Sequence, residues 1–228
     1  MINAILQDPT VALEGAEEVT ESISVLELLF NGGIMMIPIL LLWIIAIYVF
    51  IERILTIKKA SGTPDDFKDR IRQLVTNGDI QGARLWCVQT DTPAARMIEK
   101  GVSKIGTSLK NIEVSIENIG KIEIYKLEKN LSLLATIAGA APMIGFLGTV
   151  TGMIQAFMAV AQEEGAVSPK LLSGGIYEAL ISTAVGLIVG ILAYLGYNYL
   201  VARVSKVVHT MEYNAIEFVE LLQEPQKK

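Results

Sequence analysis

Glu178 stands one residue before a stretch of 24 uncharged positions, 179–202, and is the residue of this sequence whose setting most demands an explanation. An acid inside a bilayer costs about 2.5–3.5 kcal/mol at mid-span, so a functional role is its default reading. The alternative is an interfacial acid still wetted from outside. Thr149 and Thr183 place hydroxyls in equally apolar surroundings. A hydroxyl both donates and accepts hydrogen bonds, which suits handling a proton or an ion. Each threonine can also satisfy itself on a carbonyl of its own helix, which is the commoner fate. Covalent chemistry has little to work with here. Cys87 is the single cysteine and His209 the single histidine, so neither a disulfide framework nor a histidine metal cluster is available. The glycines lack a P-loop lysine and a strand context, so no nucleotide site is expected. No catalytic nucleophile and no cofactor are expected.

The elements that must hold these residues are written in the charge distribution. Of 228 residues, 52% are hydrophobic and 19% charged, and three stretches carry no charge: 28–51, 130–162 and 179–202. About 20 apolar residues in a helix cross a bilayer core, so each stretch is long enough to span, and a soluble monomer is excluded. A net charge of −5 argues against nucleic acid as a partner. Residues 1–32 hold no Lys or Arg and six acids, whereas 14 Lys and Arg fall between residues 53 and 129. The positive-inside bias then puts the N-terminus outside, with the middle segment and the C-terminus in the cytoplasm. The expected division is an N-terminal segment (1–32), span one (33–52), a cytoplasmic helical domain (53–130), span two (131–161), a periplasmic turn (162–173), span three (174–202) and a cytoplasmic C-terminal helix (203–228).

Outside the spans the chain reads as helices. Pro64-Asp65-Asp66 and Asn77-Gly78 bracket one, Asp79 can cap a second running through Val88, and Thr92-Pro93 opens a third. Ile112, Ile116, Ile119 and Leu127 carry an apolar face up to span two, which is expected to continue straight into the cytoplasm. After span three, Val204, Val208, Met211, Ala215, Phe218 and Leu222 follow a strict 4-3-4-3-4 seam. The fold class is therefore an all-α membrane protein, three spans with long cytoplasmic helical extensions. Span two is crowded with small residues, among them Gly145, Gly148 and Gly152, and span three presents Ser182, Gly186 and Gly190 at four-residue spacing. Such ridges let helix backbones approach closely. Together with the 204–222 seam they suggest an assembly, because a single chain would not easily satisfy both. Pro142 removes a backbone bond toward Ala138 and should loosen or bend span two. Span one, with Trp43 and Tyr48, reads as the lipid-facing helix, and Glu52-Arg53 as a boundary pair whose charges snorkel to water.

The run Ala141-Pro142-Met143-Ile144-Gly145-Phe146-Leu147-Gly148-Thr149-Val150-Thr151-Gly152-Met153 resembles the second-span signature of the MotA/TolQ/ExbB family. The run Glu178-Ala179-Leu180-Ile181-Ser182-Thr183-Ala184-Val185-Gly186-Leu187 resembles its third-span signature. The three-span form is most similar to ExbB or TolQ members. The resemblance implies a subunit of an inner-membrane motor driven by an ion gradient, forming a homopentamer around a dimer of single-span partners of the ExbD/TolR type. It implies that Thr149, Thr183 and Glu178 line the ion path, that Pro142 and the small residues shape it, and that a TonB-like or TolA-like protein receives the work. Membrane lipid is the remaining partner. Two other readings stay open: a transporter with its own substrate site, which three spans without inverted repeats disfavour, and a structural membrane scaffold, which would need the small ridges but not the polar residues.

Overall fold

The computed structural model describes residues 32–64, 66–162 and 169–223, with 169–172 described by backbone alone. The expected N-terminal segment thus lies outside the described residues except for Gly32. Seven helices are described: α1 (Met36–Ala60), α2 (Phe67–Thr76), α3 (Ile80–Thr90), α4 (Pro93–Val102), α5 (Leu109–Glu128), α6 (Leu131–Gln162) and α7 (Pro169–Gln223). No strand is present among them. Three helical stretches are long and apolar enough to cross a membrane: Met36–Ala60, which is α1, Leu109–Gln162, which ends in α6, and Ser173–Gln223 of α7. The chain is an all-helical, multi-pass membrane protein.

Local chemistry explains the helix ends. Pro38 lies in the first turn of α1, where its missing N–H has no partner to lose, and Lys58 and Lys59 in the last turn suit the negative end of the helix dipole. The carboxylate of Asp79 accepts from the Gly82 N–H at 2.8 Å and caps α3, which runs two residues beyond the expected Val88. The Thr92 hydroxyl accepts from the Ala95 N–H and caps α4, with Pro93 at its first position. Gly78, at φ +75°, turns the chain out of α2.

Two expectations about continuity part ways. α7 is one helix of 55 residues, roughly 80 Å long, so the third span and the C-terminal helix are a single rod. Span two does not continue straight. Lys129 leaves the helical region at ψ 137° and Asn130 adopts φ +64°, separating α5 from α6. Asn tolerates this left-handed conformation better than most residues, which is why the break falls there. The expected turn over 162–173 also narrows, because Gln162 is helical and helix resumes at Pro169. The remainder, 163–168, lies outside the described residues.

α7 meets different partners along its length, within one continuous core. Toward its C-terminal end, Val204, Met211 and Phe218 are buried against Phe67, Ile71, Ile98, Val102, Ile112 and Ile116 of α2, α4 and α5. Val208, Ala215 and Leu222 pack partly buried beside them. The apolar seam is therefore filled by the chain's own helices and calls for no second subunit. In its membrane half α7 lies along α6, and α1 packs across the pair through Ile39, Ala46 and Val49. Phe50 of α1 lies against Gly196, where an added Cβ would sit 3.1 Å from the ring.

Candidate functional site

The small residues of α6 and α7 meet each other inside one chain. A Cβ on Gly186 would stand 2.7 Å from the Ala141 carbonyl oxygen, one on Gly145 2.8 Å from that of Ser182, and one on Gly190 2.5 Å from Cγ of Pro142. Gly152 faces Ala179 and Gly148 faces the Ser182 hydroxyl in the same antiparallel register. The ridges are thus spent on the α6–α7 contact and do not by themselves argue for assembly. Pro142 sits within α6, which remains helical on both sides of it, with its ring filling the gap that Gly190 leaves.

Hydroxyls stitch the same contact. Thr183 Oγ1 donates to the Gly145 carbonyl at 2.8 Å. Ser182, 1% exposed, donates to Ala179 O at 2.8 Å with Gly145 O 3.4 Å away. Thr149 instead satisfies itself on its own helix, donating to Phe146 O at 2.6 Å. Its oxygen keeps acceptor capacity.

Helical phase places these groups. Thr149 follows Pro142 by seven residues, and Thr183 precedes Gly190 by seven, so each threonine shares an edge with its partner to within about 20°. That edge is open: a groove of about 350 Å³ runs between Ala135, Gly139 and Pro142 on α6 and Leu187, Gly190 and Tyr194 on α7. α1 occupies the other edge, where Met35 adjoins Gly148 and Phe50 adjoins Gly196. Glu178 does not join the threonines. It is half-buried and its carboxylate lies on Gly33, just before α1, where the backbone takes φ +67° and any Cβ would collide with Oε1.

The charged residues between span and bundle are paired inside the structure, and the boundary pair Glu52-Arg53 departs from the expected snorkelling. Arg53 does not snorkel. It is 4% exposed, pairs with Glu52, and donates from Nη1 to the Lys126 carbonyl at 2.9 Å, supplying a partner to the end of α5. Glu123, 3% exposed, is held by Arg96 and Lys126, each at 2.7 Å. Its position was readable, since Ile116, Gly120, Glu123 and Leu127 follow the 4-3-4 rhythm of the buried face of α5. Cys87 is buried, and that burial pushes its thiol up to about 12, too high for a reactive thiolate. No group of three His, Cys, Asp or Glu able to hold a metal occurs among the described residues.

Residues 89–213, just over half the chain, match the model of the MotA/TolQ/ExbB proton channel family. The chain belongs to that family. It is not a family of known enzymes. An ExbB homolog of Methanothermobacter thermautotrophicus is 28% identical over 192 residues, covering 83% of this chain and 67% of that protein. The biopolymer transport protein ExbB of Aquifex aeolicus is 35% identical over 139 residues, 60% of this chain and 87% of that protein. The Tol-Pal system protein TolQ of Haemophilus influenzae is 44% identical over 85 residues, only 37% of either chain. The family match takes in α6 and α7 as far as residue 213, with Thr149 and Thr183 inside it.

Proposed function

We propose that this chain is an ExbB-like subunit of an inner-membrane motor driven by the proton motive force, with Thr149 and Thr183 on its ion path. The observation that carries this is the open α6–α7 edge: two hydroxyls share it with the groove beside Pro142 and Gly190, while α1 occupies the other side. Five copies arranged with these edges inward give an apolar lumen ringed by threonines. A single-span partner of the ExbD/TolR type enters that lumen with a carboxylate. An isolated carboxylate is strongly disfavoured there, and hydroxyls relieve it by donating to the anion and accepting from the acid. The N-terminus lies outside and residues 53–130 lie in the cytoplasm, in keeping with the basic residues. Glu178, set beside Gly33 on the α1 side of the pair, is not part of this proposed path.

The ExbB reading, with TonB-dependent transport as the work done, is favoured by the longer alignments to biopolymer transport proteins. The TolQ reading, with outer-membrane integrity as the output, rests on the higher identity of a shorter match. A non-conducting scaffold is the reading from another class. The combined Thr149→Val and Thr183→Val variant separates the motor readings from the scaffold: in a motor, pentamer yield stays within about twofold while gradient-driven activity falls at least tenfold. Full activity in that variant refutes the path assignment, and loss of the pentamer makes the threonines structural. The identity of the single-span protein that co-purifies decides between the ExbB and TolQ readings.

A further inference from the structure

We propose that the groove where α1 leaves the apolar layer binds the phosphate headgroup of an anionic glycerophospholipid. Two independent features converge there. The first is a stripe on α1: Ile37, Leu41, Ile44, Tyr48, Ile51 and Leu55 follow a strict 4-3-4-3-4 spacing, and each is between 51% and 68% exposed. Its last member, Leu55, also lines a groove of about 390 Å³ between the ends of α1 and α5 and the start of α4. From Ile44 to Leu55 the stripe covers about 16 Å, close to the depth of one leaflet's hydrocarbon.

The second feature is the charge inside the groove. Lys59, Arg96 and Lys126 line it together with Asp91 and Glu123. Arg96 binds both acids, Asp91 at 2.5 Å and Glu123 at 2.7 Å, Lys126 binds Glu123 from the other side, and Lys59 reaches Asp91 at 3.5 Å. Three cations therefore face two acids that are already engaged. The side chains of Lys59 and Lys126 are 79% and 60% exposed, and each ammonium keeps donors to spare. Arg96 Nε is buried with no hydrogen-bond partner. One excess positive charge with free donors lies at headgroup depth: Lys126 stands four residues, about 6 Å, before the uncharged stretch that begins at Asn130, and Lys59, about 12 Å beyond Ile51, has a side chain long enough to reach back. Basic pockets beside membrane helices at this depth take lipid phosphates. A soluble phosphate would meet the same cations but leave the stripe unused, whereas a lipid engages both. The assignment does not depend on the ion path.

The test uses the full-length protein in mild detergent, with lipid retention read by native mass spectrometry. Wild type holds phosphatidylglycerol about tenfold more tightly than phosphatidylcholine, and Lys59→Gln with Lys126→Gln removes that preference while leaving phosphatidylcholine retention and helicity unchanged. Arg96 remains to pair Glu123 in that variant. If the double variant misfolds, Lys59→Gln alone, at a solvent-exposed position, lowers phosphatidylglycerol retention about threefold. Equal retention of the two lipids by wild type, or undiminished phosphatidylglycerol in folded variants, overturns the proposal. Displacement of the lipid by millimolar inorganic phosphate overturns it in favour of a soluble anion. Efficient cross-linking of Leu55→Cys between copies in membranes overturns it in favour of a second copy of this chain.

Discussion

The two halves of α7 solve the same packing problem with opposite materials. Between Gly175 and Gly190 the helix meets α6 through Gly, Ala and Ser, with backbone atoms at the distance of closest approach. Between Val204 and Leu222 it meets α2, α4 and α5 through Phe, Met, Val and Leu. Surrounding medium explains the difference. In lipid an apolar side chain gains little by leaving its neighbours, so helices hold by close contact and by hydrogen bonds such as that of Thr183 to Gly145 O. In water, burying a large side chain is itself the driving force. A single rod can be read as a membrane helix or a soluble one by which residues it spends on contact.

Truncating a large side chain in the water-facing half gives the largest effect. Phe218→Ala removes a ring that is 4% exposed and packed on Gly101 and Ile116, and costs about 3–5 kcal/mol. Denaturation followed by the fluorescence of Trp86, which packs against this core, reports the loss. The same truncation logic applied to the close α6–α7 contact has little to remove, because that contact is made by Gly, Ala and Ser, and that asymmetry separates the two halves.

The sequence foretold these two halves unevenly. Helix ends set by neighbouring residues were legible, as at Asp79 and Thr92, because a cap and the N–H it binds are only three residues apart. The small ridges and the 204–222 seam were legible as contact surfaces, but not their partners: a ridge looks the same whether it faces its own chain or another copy. Arg53 lies 73 residues from the carbonyl it binds, and Arg96 lies 27 from Glu123, so nothing local distinguishes them from surface charges. The threonines were recognisable by motif, while their unequal partners, a carbonyl across the helix pair for Thr183 and one on its own helix for Thr149, depend on how α6 and α7 are rotated.

Enlarging a small side chain is the converse experiment and the next in size. Gly186→Val forces carbon into a space where the first Cβ already lies 2.7 Å from the Ala141 carbonyl, a backbone atom that cannot swing aside. Separation of α6 from α7 costs about 1–3 kcal/mol. A cysteine pair across that contact, introduced at Gly152 and Ala179, where an added Cβ lies 3.0 Å from that of the alanine, should cross-link less readily in the variant. Unchanged cross-linking and stability would show that the close approach contributes nothing. Phe218 and Gly186 together then measure both halves of the rod, one by removing volume and one by adding it.

The smallest effect belongs to the charged joint between span and bundle, and pH isolates it. Asp91 ends α3 in a left-handed conformation, φ 45°, and its carboxyl is held below the ordinary range chiefly by the hydrogen bond from Arg96. A depressed carboxylate stabilises the fold fully above its unfolded value of about 3.9, and that stabilisation disappears as pH falls through the lower folded value. Asp91→Asn suits the comparison because Asn accepts the left-handed backbone equally well, leaving charge as the difference. The wild type should therefore melt slightly above Asp91→Asn by a constant margin from pH 7 down to about 5, and the margin should close below about pH 4. A margin that instead grew on acidification would mean that Asp91 repels its surroundings more than Arg96 and Lys59 attract it, and the joint would not be held by charge.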